Sequence, residues 1–180
     1  MVYFTADLHL GHENIITHCG RPFENAAEMD KVLISNWNSR VTDRDDIYIV
    51  GDLIWKNPDR ALDYLRRLHG RKYLIRGNHD HVWLRSQEVI DCFETIDDIV
   101  EIKLNGTHIT LCHYPMMSWN KSRYGSYLIH GHIHNNTRDC FWPLIKQSPF
   151  MLNAGVDINW WCPATFDELI RNNNIFKTRN

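Results

Sequence analysis

Short apolar runs alternate with longer amphipathic stretches through the first half of the chain. The runs at residues 2–6, 46–50 and 73–75 have the length of buried strands, and each is followed by glycine or polar residues. Between them, apolar positions recur with a period near 3.6 in residues 23–40, with Trp37 on the core side, and again in residues 58–68, which predicts two helices. Strands that alternate with helices favour an α/β fold. This pattern alone predicts a single doubly wound sheet.

The second half of the chain is divided differently. Asn105-Gly106 separates two apolar segments, residues 92–104 and 108–112, and this dipeptide predicts a β-hairpin. Residues 135–148 are predicted to be irregular, and the Asn-rich tail is predicted to be frayed. Since no repeat or linker interrupts these elements, we expect one domain over residues 1–180. The other predicted elements are strands at residues 127–129 and 150–152 and short helices at residues 13–19, 81–88 and 165–171.

Polar side chains of the kinds that bind metals follow five of the predicted strands. Open α/β sheets bind ligands beyond the carboxyl ends of their strands, so these positions are candidates for one shared site. Residues two apart in an extended segment point to the same face, which would bring Asp7 to His9 and His132 to His134. A polar strand end explains each position singly, but it does not explain the ordered set. The set is Asp7, His9, Asp52, Asn78, His79, His113, His132 and His134.

The chemistry of this set favours a site for transition-metal ions. Carboxylate, amide and imidazole donors together suit Mn²⁺, Fe²⁺ or Fe³⁺, Zn²⁺ or Ni²⁺ better than Ca²⁺ or Mg²⁺ alone. Asp52, placed directly after Gly51, has two oxygens that can bridge two cations. One bridging carboxylate with roughly three further ligands per ion is typical of two-metal hydrolases, whose ions lie ~3.5–4 Å apart. We therefore expect two divalent ions, with Mn²⁺ first and Fe, Zn or Ni as alternatives.

The ordered blocks resemble the signature of the calcineurin-like metallophosphoesterases. That signature is D-x-H, G-D, G-N-H-D/E, a single H and then G-H-x-H. In this chain the blocks are Asp7-Leu8-His9, Gly51-Asp52, Gly77-Asn78-His79-Asp80, His113 and Gly131-His132-Ile133-His134. Gly11-His12, Arg21-Pro22-Phe23 and residues 153–157 also look like a compact bacterial, archaeal or phage subgroup of that family.

The resemblance implies a fold, a reaction and a ligand assignment. The implied fold is a four-layer β-sandwich of two mixed sheets flanked by helices, which replaces the single doubly wound sheet. The implied reaction is hydrolysis of a phosphoester by attack of a metal-bridging hydroxide on phosphorus. The first ion would be held by Asp7, His9 and His134, the second by Asn78, His113 and His132, and Asp52 would bridge both.

Candidate catalytic and substrate-binding residues lie in the same blocks. His79 is not one of the metal ligands that the resemblance assigns, so we expect it to stabilise the transition state or to protonate the leaving oxygen. Asp80 would orient His79 by accepting its second N–H, or it is a simple turn carboxylate. The guanidinium of Arg76 matches phosphate oxygens in shape, although a surface arginine is the alternative. Asn78 and His12 would contact substrate, unless His12 only begins the following helix.

Composition limits the class of substrate. The chain has a net charge of −2 and a pI near 6.6, so no overall basic field draws it to nucleic acid. We expect a small phosphodiester or nucleotide as substrate, and a nuclease on DNA or RNA ends is the alternative. A protein-binding scaffold of the same fold is less favoured because every ligand position is filled. The basic, aromatic loop at residues 116–126 would stack a base and hold a second phosphate, or it is an ordinary surface loop.

Cysteine usage and hydropathy bear on the location of the protein. Five scattered cysteines without a C-x-x-C pair favour a reducing compartment over a disulfide framework. The first residues lead straight into an apolar run, and no run approaches the ~20 residues of a membrane span. We therefore expect no signal peptide, no membrane insertion and a cytoplasmic location. Trp160-Trp161 would mark a homodimer surface, although core burial would explain the pair equally well.

Overall fold

The computed structural model describes residues 1–179 and contains two four-stranded sheets. The first sheet has the order β1-β2-β3-β4 and is wholly parallel. The second has the order β5-β6-β7-β8 and is mixed, because β5 pairs with β6 in the antiparallel sense. The strands are β1 Val2–Thr5, β2 Asp46–Ile49, β3 Arg71–Ile75, β4 Thr95–Asp97, β5 Ile99–Leu104, β6 Thr107–Cys112, β7 Tyr127–His130 and β8 Met151–Asn153.

The prediction of one doubly wound sheet was wrong, and the hairpin between β5 and β6 shows the reason. Asn105 and Gly106 adopt positive φ angles of 48° and 86°, as a two-residue hairpin turn requires. The hairpin confirms the sequence prediction at this point. It begins a second sheet instead of extending the first, because β5 pairs with β6 and not with β4.

Within residues 1–179, six α-helices flank the two sheets. They are α1 Glu13–Cys19, α2 Ala26–Arg40, α3 Pro58–Arg67, α4 Gln87–Ile90, α5 Trp142–Gln147 and α6 Phe166–Arg179. In α2, the side chain of Asn25 accepts a hydrogen bond from the backbone of Glu28 and caps the helix. Trp37 lies on the buried face of this helix with no exposed surface, which confirms its core assignment.

Alternating side chains of the strands divide the interior into layers. In β2, Ile47 and Ile49 pack toward α2 and α3, whereas Tyr48 points toward the second sheet. Phe4 and Ile75 join Leu111 of β6 in the cluster between the two sheets. A third cluster places α5 on the outer face of the second sheet. These layers confirm the β-sandwich of two sheets flanked by helices, although only the second sheet is mixed and the first is wholly parallel.

Three helical segments differ from the predictions. Residues 135–148 are not wholly irregular, because α5 forms where Pro143 can occupy a first helical turn and Ile145 is buried. Residues 81–88 were expected to be one helix, but a short 3₁₀ turn at Asp80–Val82 precedes the separate α4. The closing helix α6 continues to Arg179 instead of ending near residue 171.

Buried polar contacts explain the length of α6. The side chain of Asn173 accepts a hydrogen bond from the backbone N–H of Asn153 and donates to its carbonyl. The Nζ of Lys177 donates to the carbonyls of Ser148 and Met151, at 2.7 and 2.6 Å. Hydrogen bonds therefore hold the C-terminal part of α6 against β8, although asparagine has a low helix propensity.

Three features of residues 1–179 bear on the location and assembly of the protein. None of the helices there is long and apolar enough to cross a membrane. The five cysteines are free thiols. Trp161 packs on Phe23 and on the Arg21 guanidinium, whereas Trp160 is 64% exposed. Burial thus explains Trp161, and a homodimer surface at Trp160 stays a prediction.

Candidate metal centre

The polar residues at the strand ends come together on one side of the molecule. They follow β1, β2 and β3 of the first sheet and β6 and β7 of the second. Backbone hydrogen bonds join the loops: Asp7 N–H donates to the Gly51 carbonyl and His9 N–H to the Asp52 carbonyl, both at 3.0 Å. The loop after β1 is thereby fixed against the loop after β2.

Most of the expected ligands have an unusual backbone conformation. Five of them adopt positive φ angles between 50° and 70°: Asp7, His9, Asp52, His132 and His134. The prediction that Asp7 and His9, and likewise His132 and His134, lie in extended segments was therefore wrong. Each of these residues turns the chain at its own position. Non-glycine residues in this region are uncommon, and they cluster at functional sites where surrounding structure holds them.

Two motif glycines are required by the closeness of these loops. A Cβ on Gly77 would lie 2.3 Å from the Oδ1 of Asp52. A Cβ on Gly51 would lie 2.2 Å from the Nδ1 of His113, and Gly51 also has a φ of 88°. Any side chain at either position would displace a predicted ligand.

The expected first group of ligands converges as the resemblance implied. Donor atoms of Asp7, His9 and His134 all lie within 4.8 Å of one another. The Nε2 of His9 is buried and has no hydrogen-bond partner among the described residues. Burial lowers the pKa of His9 well below its usual value, which leaves the imidazole neutral. A neutral, buried and unpartnered nitrogen beside a carboxylate fits a metal ion.

The expected second group is assembled around an amide oxygen. The Oδ1 of Asn78 lies 3.2 Å from His113 Nε2 and 3.1 Å from His132 Nδ1. The Nδ1 of His113 contacts the Val50 carbonyl at 2.9 Å, so its Nε2 is the nitrogen that faces the site. His113 is fully buried, whereas His132 is exposed.

Asp52 lies between the two groups. Its Oδ2 is 3.5 Å from His9 Nε2 and also 3.5 Å from His113 Nε2. Burial acts to raise the pKa of Asp52, but His113, His9 and the backbone N–H of His79 together outweigh it and lower that pKa to about 2. Burial opposes the proton on His113, yet Asp52 and Asp7 raise its pKa to about 9. The carboxylates that stabilise a proton on the His113 imidazole would also stabilise a metal cation that replaces this proton.

A buried ion pair lies next to the first ligand group, and it was not predicted from the sequence. The Nδ1 of His134 donates to Asp157 Oδ2 at 2.9 Å. Asp157 also accepts from the Nε and Nη2 of Arg21, which donates in turn to the carbonyl of Asp7. Carboxylates commonly orient metal-binding histidines in this way. The available signal was the stretch at residues 153–157, noted only as a subgroup feature.

Asp80 has a different role from the one expected. Its carboxylate accepts backbone N–H groups of Asp52 and Gly77 on Oδ2, at 2.9 and 2.7 Å. Its Oδ1 accepts the Leu53 N–H and the Trp83 indole N–H, both at 3.1 Å. No hydrogen bond to the His79 imidazole is among its contacts within the described chain. Burial, with the charge of Asp52, raises the pKa of Asp80 to about 6. Asp80 therefore joins two ligand loops and does not orient His79.

A cavity of about 380 Å³ opens over the candidate ligands, and we call it the Trp55 cavity. The ring of His79 reaches it with 28% of its side chain exposed, and its Nε2 lies 3.9 Å from Asp52 Oδ2. His12 stacks on Trp55 with ring centres 3.6 Å apart, and His79 meets the same indole edge-on. Trp55 was not predicted. The lining residues are His9, His12, Asn14, Ile15, His18, Asp52, Trp55, Asn78, His79, His132 and His134.

Arg76 and the basic loop lie outside this cavity. The Arg76 guanidinium forms two hydrogen bonds with the Asp98 carboxylate, at 2.8 and 2.7 Å. It is not on the cavity wall, so the geometry does not supply the expected phosphate contact. Lys121 and Tyr124 line a separate cavity of about 340 Å³ with His108.

Comparison with known proteins gives the class of the chain. Residues 2–155 match the model of the calcineurin-like phosphoesterase superfamily domain, and the chain belongs to that family. The uncharacterized protein MJ1445 of Methanocaldococcus jannaschii is 35% identical over 99% of this chain and 96% of its own length. The gene 66 protein of Mycobacterium phage L5 is 29% identical over 74% of this chain and 77% of its own length.

A solved structure has the same fold. The crystal structure of a protein of unknown function from Aquifex aeolicus is 29% identical, with a TM-score of 0.72. The match covers 95% of this chain and 98% of that one. The family assignment made from the motifs is therefore confirmed, together with the architecture.

Proposed function

We propose that this protein is a dinuclear metal-dependent phosphoesterase that hydrolyses a small phosphodiester or nucleotide. Membership of the calcineurin-like phosphoesterase family supports hydrolase chemistry and metal binding. One observation carries the dinuclear part of the proposal: a single oxygen of Asp52 is 3.5 Å from a nitrogen of each ligand group. A carboxylate in that position could be shared by two ions, one held by each group. We propose Mn²⁺ as the preferred ion, with Fe, Zn or Ni as alternatives.

The residues of the chain have separable tasks in this reaction. Bound divalent ions would supply a nucleophilic water of lowered pKa and neutralise charge on the phosphoryl group. Asn78 turns its amide oxygen toward His113 and His132, and its side-chain NH₂ can donate to a phosphate bound beside it. His79 is exposed to the cavity and stands outside both ligand groups, so it can deliver a proton to the leaving oxygen. Trp55 and His12 form a flat aromatic wall for the leaving group.

The alternative functions have weaker support. A nuclease on DNA or RNA ends needs a basic surface that follows the phosphate backbone, and a net charge of −2 gives no such overall field. A protein-binding scaffold does not require the ligands to converge. Here every ligand position is filled, and both groups assemble around Asp52.

Hydrolysis of two chromogenic esters tests the proposal. The protein is treated with a chelator, Mn²⁺ is restored, and bis(p-nitrophenyl) phosphate is compared with p-nitrophenyl phosphate. We expect metal-dependent turnover of the diester. In Asp52→Asn it should fall on the order of 10³-fold or more, because the bridging charge is worth several kcal/mol in the transition state.

Asp98→Asn serves as the matched control, since it removes an exposed carboxylate that pairs with Arg76. Its turnover should equal that of the unmodified protein. Bound metal without turnover of either ester would contradict the proposal and favour the scaffold. Monoester preference would instead indicate nucleotide or protein phosphatase activity.

A further inference from the structure

A second and larger cavity meets the Trp55 cavity at the candidate metal centre. Its volume is about 630 Å³, within the range of sites that hold small ligands. His18, His132 and His134 line both cavities, so the two form one groove with the centre at their junction. We call the larger one the loop-side cavity. Its lining residues are His18, Cys19, His132, Ile133, His134, Asn135, Asn136, Thr137, Arg138, Asp139 and Phe141.

The wall of the loop-side cavity is a short loop held by its own hydrogen bonds. Asn135 donates from its side chain to the Cys19 carbonyl at 2.8 Å, which ties the loop to the end of α1. Asn136 accepts the Arg138 N–H on its side-chain oxygen at 2.9 Å and donates to Asp139 at 2.6 Å. These bonds fix the backbone of Arg138 beside the groove without using its guanidinium.

Arg138 differs from the other arginines near the centre. The guanidinium of Arg21 is taken by Asp157, and that of Arg76 by Asp98. Arg138 is the one arginine on the wall of either cavity, and its guanidinium has no ion pair or hydrogen bond within residues 1–179. His18 adds an imidazole to that wall, and Asp139, its one carboxylate, accepts a hydrogen bond from the Asn136 side chain. The Arg138 guanidinium is therefore the charged group at this end of the groove that is left to contact an anion.

We propose that the loop-side cavity binds a second phosphate group of the substrate, with Arg138 as its main donor. The inference rests on the proposed function, since it assumes that the scissile phosphodiester lies at the junction of the two cavities. Arg138 lines only the loop-side cavity, so its partner is a phosphate beyond the scissile one. A guanidinium fork fits phosphate oxygens and can donate two parallel hydrogen bonds to them. The substrate class is thus a small phosphodiester with an additional phosphate.

Two dinucleotides that differ by one phosphate test this inference. The probes are a 5′-phosphorylated thymidine dinucleotide and the same dinucleotide without that phosphate. We expect the phosphorylated probe to have a KM about 10-fold lower or better, as a charge-assisted contact implies. In Arg138→Gln this ratio of KM values should fall close to one. Arg44→Gln should keep the full ratio, because Arg44 is an exposed arginine just before the amino end of β2, away from both cavities.

Equilibrium binding separates this inference from the proposed function. The same two probes are titrated into Asp52→Asn protein, where tighter binding of the phosphorylated dinucleotide supports the second-phosphate site even if no ester is hydrolysed. Equal binding of the two probes overturns the inference, as does an unchanged ratio in Arg138→Gln. An oligonucleotide of many residues that binds more tightly than the phosphorylated dinucleotide would also overturn it, in favour of nucleic acid.

Discussion

The two proposed ligand groups of the candidate metal centre are built from the same kind of strand ends, yet their surroundings differ. In the buried group, Asp7 and His9 are 0% and 2% exposed, and His134 is supported by the ion pair of Asp157 with Arg21. In the open group, His113 is buried, but His132 is exposed and contacts the neutral amide of Asn78. We infer that one ion would be held tightly by charge and burial, and the other loosely beside the substrate.

The position of each group in the sandwich explains the difference. The loop after β1 is covered on both sides, because Ala6 bridges to Gly155 and Asp7 bonds the backbone of Gly51. Charges placed there need buried partners, which Arg21 and Asp157 supply. The open group faces the groove, where solvent and substrate complete its contacts. Asp52 is the one ligand shared by these two environments.

Loss of Asp80 has the largest expected effect, because it holds the loops that carry Asp52 and Asn78. Asp80→Ala leaves three buried N–H groups and the half-buried N–H of Gly77 without an acceptor, and a buried group in this state costs about 1–3 kcal/mol. Since these costs are not additive, we expect the free energy of unfolding to fall by about 3 kcal/mol or more. Urea denaturation of the metal-free protein measures it, with the midpoint shifting at constant slope.

Asp98→Ala provides the comparison for this measurement. Its carboxylate is also paired, but with Arg76 at an exposed position. We expect a change within about 0.5 kcal/mol, since exposed pairs contribute little. Equal shifts in the two variants would show that Asp80 does not fix the ligand loops.

The ion pair behind the buried group gives the next largest effect. In Asp157→Asn, His134 loses its charged acceptor, and affinity for the first ion should fall about 10–100-fold. Affinity for the second ion should not change, because neither His113 nor Asn78 contacts Asp157. Titration of metal against a competing chelator resolves the two constants. Asp167→Asn, an exposed carboxylate of α6, is the control. Equal weakening of both ions would contradict the division into two groups.

Chemical rescue gives the smallest effect and tests exposure directly. His132→Ala leaves a gap that opens on both cavities, whereas His9 is 2% exposed, lies against His12 and Trp55 and borders the Trp55 cavity alone. Added imidazole should therefore restore several-fold more diester turnover to His132→Ala than to His9→Ala. Equal recovery in the two variants would mean that the open and buried groups are equally accessible.

Much of the centre could be predicted from residue type and order along the chain. The seven proposed ligands lie within a few residues of strand ends, and a strand end is a local feature that apolar runs reveal. The partners of these ligands could not be predicted in the same way. Arg21 and Asp157 are 136 positions apart, and Asp80 acts on the backbone of residues 27 and 28 positions away. Spacing along the chain carries no signal for such contacts.

The sequence by itself determined the family, the ligand types and the hairpin at Asn105-Gly106, because each depends on neighbouring residues. Only the tertiary structure decided how the ligands converge. Their positive φ angles are unfavourable locally and persist because the loops of two sheets hold them. The tertiary structure likewise decided that Asp80 accepts hydrogen bonds from backbone N–H groups. It also decided that the Arg138 guanidinium lies beside the groove without a partner among residues 1–179. Packing between distant segments sets which polar groups are satisfied, and local pattern cannot specify that.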